Sequence, residues 1–474
     1  MTDSKIYNVL THFDKVEQNR LRKYIRSPYF NVNETLMAFY DVLSEHINAN
    51  GKAGELTKEQ LWTQLYEKET FNDVRFRKLS SDLLKLVEGF LGQQVYDKDN
   101  LQQSNFLLEA INDKKIERLY KSSTRQAQIW SDIRNQKPAS YYYYQFEIQK
   151  KLYDLNEAEL KRFEKSNVEE IINNLDYFYL AEKLKWYCNV LSRQNLVSHE
   201  YKLLFIDEII SHMEKYSYES VPLIKIYYLI FLTQTANNEE HYFALKDLLS
   251  KYWMTLPLKD AEEAYTTMFS YCIKKMNQGN AEFYREFLNL SKDLLKTDIL
   301  LARGELNPWY FRNAVMTSLR LNEYAWAEQF INDYENKLPP DFRKNAVSYN
   351  KALVYFYQKK YDKVIPLLQS VEYDDLVYNL SSKSILLAVY YELDTDEALN
   401  SLMDSFKTYL NRHKEITSDR RISYMNLMKY IRKLLKIIPG DIKEIELIRK
   451  EMEEDRKIGI ASEKWILEKL AELE

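Results

Sequence analysis

Scarcity of turn-forming residues constrains this chain more than any other feature: 474 residues include only 8 Gly and 9 Pro. Average usage would supply about thirty and about twenty. Tight β-turns depend on Gly for φ > 0 and on Pro for a preset φ. A sheet-rich fold of this length would lack residues for its turns, whereas long helices joined by short polar loops would not. The expected fold class is therefore all-α. A single core stops growing near about 250–300 residues, so the length implies several domains or a solenoid that grows by stacking. Hydrophobic residues make up 45% of the chain, enough for a core, and 39 tyrosines suit half-buried positions between helices, with the ring packed and the hydroxyl at water or a carbonyl.

The net charge of −4 sets up no global field for nucleic acid or anionic membrane. Cys188 and Cys272 form neither a disulfide framework nor a CxxC pair and read as buried thiols in a reducing compartment. The first residues, MTDSKIYNVLTHFDK, lack the apolar stretch of a signal peptide. The most apolar stretch, Leu223–Leu232, is interrupted by Lys225 and is too short for a membrane span. A cytoplasmic protein is expected.

Residues 1–95 read as a small helical unit. Asp14–Ile25 is amphipathic and ends at Ser27-Pro28, because the residue before Pro is pushed out of the α region. Asn33 caps a second helix, and Asn48–Glu55 is a loop. Thr57 and Gln60 form a capping box ahead of a short helix. A longer helix then runs from about 73 to Phe90 and is expected to end at Gly92. Residues 96–240 read as long helices near 101–135, 139–164 and 167–193, then shorter ones.

A repeat emerges over 241–410. Tyr324 with Ala327 and Ile331, Tyr361 with Val364 and Leu368, and Ala398 with Leu402 place small or aliphatic residues at matching helical positions. Ala327, Val364 and Ala398 are 37 and 34 residues apart, and Ala244 followed by Leu256-Pro257 mirrors Ala327 followed by Leu338-Pro339. Asn345–Ser370, with Ala352 as the small residue of a first helix and Tyr361 opening a second, resembles the tetratricopeptide repeat. That resemblance implies a helical-hairpin (TPR-like) solenoid, with 411–474 as capping helices. As a whole, the chain is similar to an uncharacterised family of helical proteins of Bacteroidetes bacteria. That similarity rests on the stretches Arg22–Asn31, Lys78–Leu84 and Trp309–Ala314. It implies a bacterial, cytoplasmic origin and brings no activity with it.

Catalytic chemistry is not legible. Gly51-Lys52 lacks the Walker spacing, and no GxGxxG occurs. His12, His46, His199, His212, His241 and His413 form no close ligand pair, and no strand–turn–helix elbow presents a nucleophile. No enzyme activity, cofactor or metal is expected. The segment 57–90, a short helix, a turn and a longer helix bearing Arg75, Arg77, Lys78 and Lys85, loosely resembles a helix-turn-helix and gives an alternative reading as a DNA-binding transcriptional regulator. Residues 1–95 balance 13 basic against 13 acidic side chains, however, without the surplus of a DNA reader.

The principal expectation is a scaffold or adaptor that binds a protein or peptide through a helical-repeat groove. The repeat register places Arg312, Asn313 and Met316 on its first helix, Tyr349, Asn350 and Leu353 on the second, and Lys383 and Leu387 on the third. A separate basic patch consists of Arg420, Arg421, Lys429, Arg432, Lys433 and Lys436, with no acid between 420 and 440. It reads either as a surface for an acidic partner or as the solvated face of a packed helix, neutralised by the acids of 444–455.

Overall fold

A computed structural model describes residues 1–49, 54–67, 69–156, 166–194, 201–236, 238–302, 304–369, 371 and 376–474. Gly51, Lys52, His199 and the end of the helix expected to reach 164 lie outside them. The fold is all-α: the described residues form 23 α-helices, and their strands amount to one two-residue antiparallel pair, Leu301–Ala302 with Glu305–Leu306. None of these helices is long and apolar enough to cross a membrane.

The chain divides into two compact units, residues 1–186 with 218–224 and residues 187–217 with 225–474. The first contains α1 (Lys5–Thr11), α2 (Lys15–Ile25), α3 (Glu34–Asn48), α4 (Lys58–Leu65) and α5 (Asp73–Lys98). Their apolar stripes meet in one core around Leu21, Phe39, Tyr40, Trp62 and Leu83. The caps follow the sequence: Asp14 and Glu17 close a capping box, as do Thr57 and Gln60, and the Asn33 side chain accepts from Thr35 N. Helix α5 does not stop at Gly92. A glycine within a helix costs only about 1 kcal/mol, and Gly89 has a packing reason to be there, since a Cβ would sit 2.8 Å from the Tyr24 hydroxyl.

The helix expected over 101–135 is two helices, α6 (Asn100–Lys114) and α7 (Glu117–Asp132). Lys115 between them adopts φ 53°, and Ile116 N donates to Ile111 O. Helices α8 (Ala139–Asn156) and α9 (Val168–Gln194) follow, and the boundary between the units falls within α9.

The second unit continues with α10 (Ile206–Lys215), α11 (Pro222–Thr235) from Lys225 onward, α12 (Glu239–Tyr252), α13 (Leu258–Asn277), α14 (Glu282–Leu294), α15 (Pro308–Arg320) and α16 (Tyr324–Tyr334). Then come α17 (Pro340–Tyr357), α18 (Tyr361–Gln369), α19 (Leu376–Glu392), α20 (Asp396–Arg412), α21 (Ser418–Leu434), α22 (Ile442–Asp455) and α23 (Glu463–Glu472). From α13 to α20 they are helical hairpins, α15 packing on α17 and α17 on α19.

One backbone device turns each of these hairpins. Gly279, Asn322, Lys359 and Asp394 adopt φ of 90°, 59°, 57° and 50°. In each case the next N–H reaches back five residues: Asn280 to Lys275, Glu323 to Ser318, Lys360 to Tyr355, Thr395 to Tyr390. This is the Schellman closure, which satisfies carbonyls left open at a helix end. Only one of the four positions is Gly, which is how a glycine-poor chain makes its turns.

These turns also fix the repeat register. Ala327, Val364 and Leu399 are each the fourth residue of their helix, and all three are fully buried. Ile331, Leu368 and Met403 follow four residues later and are buried too. The third copy is therefore Leu399 with Met403 rather than Ala398 with Leu402, which are only partly buried. The small residue Ala398 suggested a spacing one residue too short.

Candidate functional site

Three hollows lie along the second unit, all of them lined mainly by the first helices of the hairpins. One, among α9, α11 and α13, includes Cys188, Tyr227 and Glu263. The next, of about 320 Å³, lies between α13 and α15 and is walled by Phe269, Tyr310 and Trp309. The largest, about 800 Å³, is bounded by α15, α17, α19, α21 and the chain leading into α23.

The large cavity takes one face from each helix. Arg312, Met316 and Arg320 recur every four residues along α15, as do Tyr349, Leu353 and Tyr357 along α17, and α19 contributes Ser381, Ser384 and Ile385. At about 100° per residue, these i, i+4 sets form narrow stripes. The end wall is the segment between α22 and α23, containing Ile458, Ile460, Ala461 and Ser462. It is fixed by Ala461 N donating to Ser423 O at 3.0 Å, Asn426 Nδ2 to Gly459 O at 3.1 Å, and a 2.9 Å Ser384–Ser462 hydroxyl pair. Glu392 on α19 accepts from Trp465 Nε1 at 2.8 Å and pairs with Lys469, anchoring α23.

Arg312 is the notable group. Its Nη2 donates to Ser381 Oγ at 3.2 Å and to Tyr349 Oη at 3.5 Å, and its guanidinium lies over the rings of Tyr349 and Trp309. Its Nε is buried without an acceptor. No described carboxylate lies within ion-pairing distance of Arg312, and the same is true of Arg320 and Arg420, which share the cavity. Arg320 and Arg420 are exposed, but Arg312 is half-buried, and charges drawn out of water are ordinarily paired. Tyr424 sits among them. Burial raises its pKa above the ordinary phenol value, opposed by its hydrogen bond with Ser381 and by the nearby Arg420 and Arg312.

The structure thus brings together Arg312, Met316, Tyr349 and Leu353 of the expected groove. Asn313 faces the neighbouring hollow instead. Asn350 is fully buried, its Nδ2 donating to Ala346 O at 2.7 Å. Leu387 belongs to the apolar core, and Lys383 lies over the Tyr409 ring of α20, with burial lowering its pKa. The physical reason is again register: Lys383 is about 200° around α19 from Ser381. The residues sequence reasoning missed are Arg320, Ser381, Ser384 and Tyr424, and the four-residue step from Arg312 and Met316 already points to Arg320.

The basic run is not one surface. Arg421 donates to the carbonyls of Leu410, His413 and Ile416 at the end of α20. Lys429 pairs with Asp455 at 2.6 Å and Glu451 at 2.8 Å, Lys433 pairs with Glu451, and Arg432 approaches Asp404 at 3.6 Å. Glu451 and Asp455 of α22 thus neutralise Lys429 and Lys433 of α21. Lys436 is exposed, and Arg420 alone of the six lines the cavity.

In the segment 57–90, Arg75 stacks over Trp62 and Tyr66 and pairs with Glu69 at 2.5 Å, while Arg77 pairs with Asp73. Two of its four bases are engaged locally. Both cysteines are buried, and burial pushes the Cys272 thiol up to about 12 and the Cys188 thiol higher still. The described residues contain no cluster of His, Cys, Asp and Glu suited to a metal ion. Comparison with protein-family models, curated proteins and solved structures found no match to this chain.

Proposed function

We propose that this protein is a non-enzymatic scaffold or adaptor whose second unit, a TPR-like stack of hairpins, holds a polypeptide partner along its first helices. The observation that carries the reading is the large cavity, where Met316, Tyr349 and Leu353 at the repeat register meet three arginines that no described carboxylate pairs with. Its walls are more polar than apolar, with the polar side chains of Arg312, Ser381, Arg420 and Tyr424 converging beside apolar Leu353, Phe356 and Ile385, and convergent polar groups are what orient a bound ligand. Aromatic and arginine side chains are also the ones that dominate protein interfaces. The partner supplies the contacts these arginines lack within the chain.

Met316 lines the cavity and is partly exposed, so Met316→Trp narrows the cavity while leaving the core intact. Affinity capture with the wild-type chain should recover a stoichiometric protein partner, and the Met316→Trp protein should lose it at unchanged helicity. Equal recovery by the two proteins contradicts the reading.

A further inference from the structure

We infer that the large cavity receives an acidic peptide segment, with Arg312 and Arg420 as the side chains that meet its carboxylates. The inference rests on the groove reading above and names the chemistry of the partner.

Charge is unevenly distributed over the second unit. Many bases on these helices find carboxylates, as where Lys292 and Arg285 share Glu323, Lys351 pairs with Glu335, Lys429 and Lys433 share Glu451, and Lys469 pairs with Glu392, while Arg343 and Arg421 are taken up by backbone carbonyls. Arg312, Arg320 and Arg420 do not, and all three line one cavity. Its two acids do not compensate for them. Glu463 is held by Arg456 at 2.5 Å, and Asp419 is a single negative charge against three guanidiniums. The cavity therefore presents unneutralised positive charge.

A guanidinium has five N–H donors in a planar fork. Both hydrogen bonds of Arg312 come from Nη2, to hydroxyls; Nε is shut away from solvent, and Nη1 donates to no group of the described chain. Donors remain for a planar carboxylate, the group a guanidinium fork matches in bidentate geometry. The Ser381 and Tyr424 hydroxyls lie beside the same group. Apolar Leu353, Phe356 and Ile385 complete the wall, suiting a segment that carries aliphatic stems and backbone along with its charges. A compact inorganic anion would leave these apolar walls unmatched.

The test uses the full chain and a fluorescein-labelled octaglutamate peptide, with octaglutamine as the neutral control. Octaglutamate should bind and octaglutamine should not. Arg420→Gln, an exposed position, should weaken binding about tenfold, the scale of one charge-assisted hydrogen bond. Arg312→Gln should weaken it at least as much, and Lys407→Gln, on the exposed face of α20, should leave it unchanged. Citrate should compete no better than its ionic strength explains. Absent octaglutamate binding, binding unaffected by Arg420→Gln, or tight citrate binding beside weak peptide binding would each overturn the inference. If Met316→Trp still abolishes partner capture while octaglutamate fails to bind, the acidic-peptide inference falls and the groove reading stands.

Discussion

The Arg312 guanidinium lies 5.4 Å from the centre of the Tyr349 ring, so the first helices of two successive hairpins meet around a cation with no carboxylate among the described residues. A buried charge held by rings and hydroxyls alone is a poor device for stability. Removing a buried polar group in favour of an apolar one of similar size is often neutral or stabilising. Arg312→Met should therefore change unfolding stability in urea by less than about 1 kcal/mol, or raise it. A loss of more than about 2 kcal/mol would show that Arg312 serves the fold instead.

The repeat register makes a sharper prediction about packing. Leu399 is fully buried at the position that Ala327 and Val364 occupy in their helices, whereas Leu402 only borders the core. Leu399→Ala should cost about 2–4 kcal/mol. Leu402→Ala should cost clearly less, and the reverse order would restore the Ala398 register.

The hairpin turns can be tested through the backbone. Lys359 holds φ 57° and Asn322 holds φ 59°. Left-handed backbone costs a non-glycine residue about 1 kcal/mol or more, and Asn tolerates it better than Lys. Lys359→Gly should raise the thermal midpoint, with Asn322→Gly raising it less. A fall at Lys359 would contradict the Schellman geometry.

The α21–α22 ion pairs give a pH signature. Hydrogen bonds from Lys429 and Tyr430 hold Asp455 below the ordinary carboxylate range, and Lys429 and Lys433 do the same for Glu451. Because the folded values lie below the unfolded ones of about 4, the stabilisation is complete above about pH 4–5 and is lost as pH falls through the folded values. Asp455→Asn should lower stability by about 1 kcal/mol at pH 7. The difference from wild type should shrink steadily in denaturation curves taken below about pH 4.

Thiol reactivity follows from burial. The Cys272 thiol, pushed up to about 12, and the Cys188 thiol, pushed higher, carry almost no thiolate at neutral pH. Iodoacetamide at pH 8 should leave both unmodified in the native protein and label both in urea. Rapid native labelling of either would show an opening that the packing does not predict.

Much of the fold was legible from residues that act locally. Asp14, Asn33 and Thr57 cap where their side chains reach backbone N–H groups a few residues away, and the low glycine count points to helices. Lys115 and Lys359 escaped because nothing in their chemistry announces a left-handed residue. They adopt it because the hairpin requires it there. The candidate site was legible as far as the register held. Arg312 and Tyr349 fall on the stripes that line the cavity, while a one-residue shift at Ala398 accompanied the choice of Lys383 over Ser384, a rotation of about 100°. The wall from Ile458 to Ser462 has no repeat pattern, and only the folded chain brings it opposite α15.

The most direct test of the central claim is photo-crosslinking from inside the cavity. A benzoylphenylalanine at Leu353, on the cavity wall, should join a partner polypeptide covalently in living cells, while the same residue at exposed Lys407 on α20 should not. Equal adducts at both positions, or adducts from Lys407 alone, would contradict a partner held along the first helices.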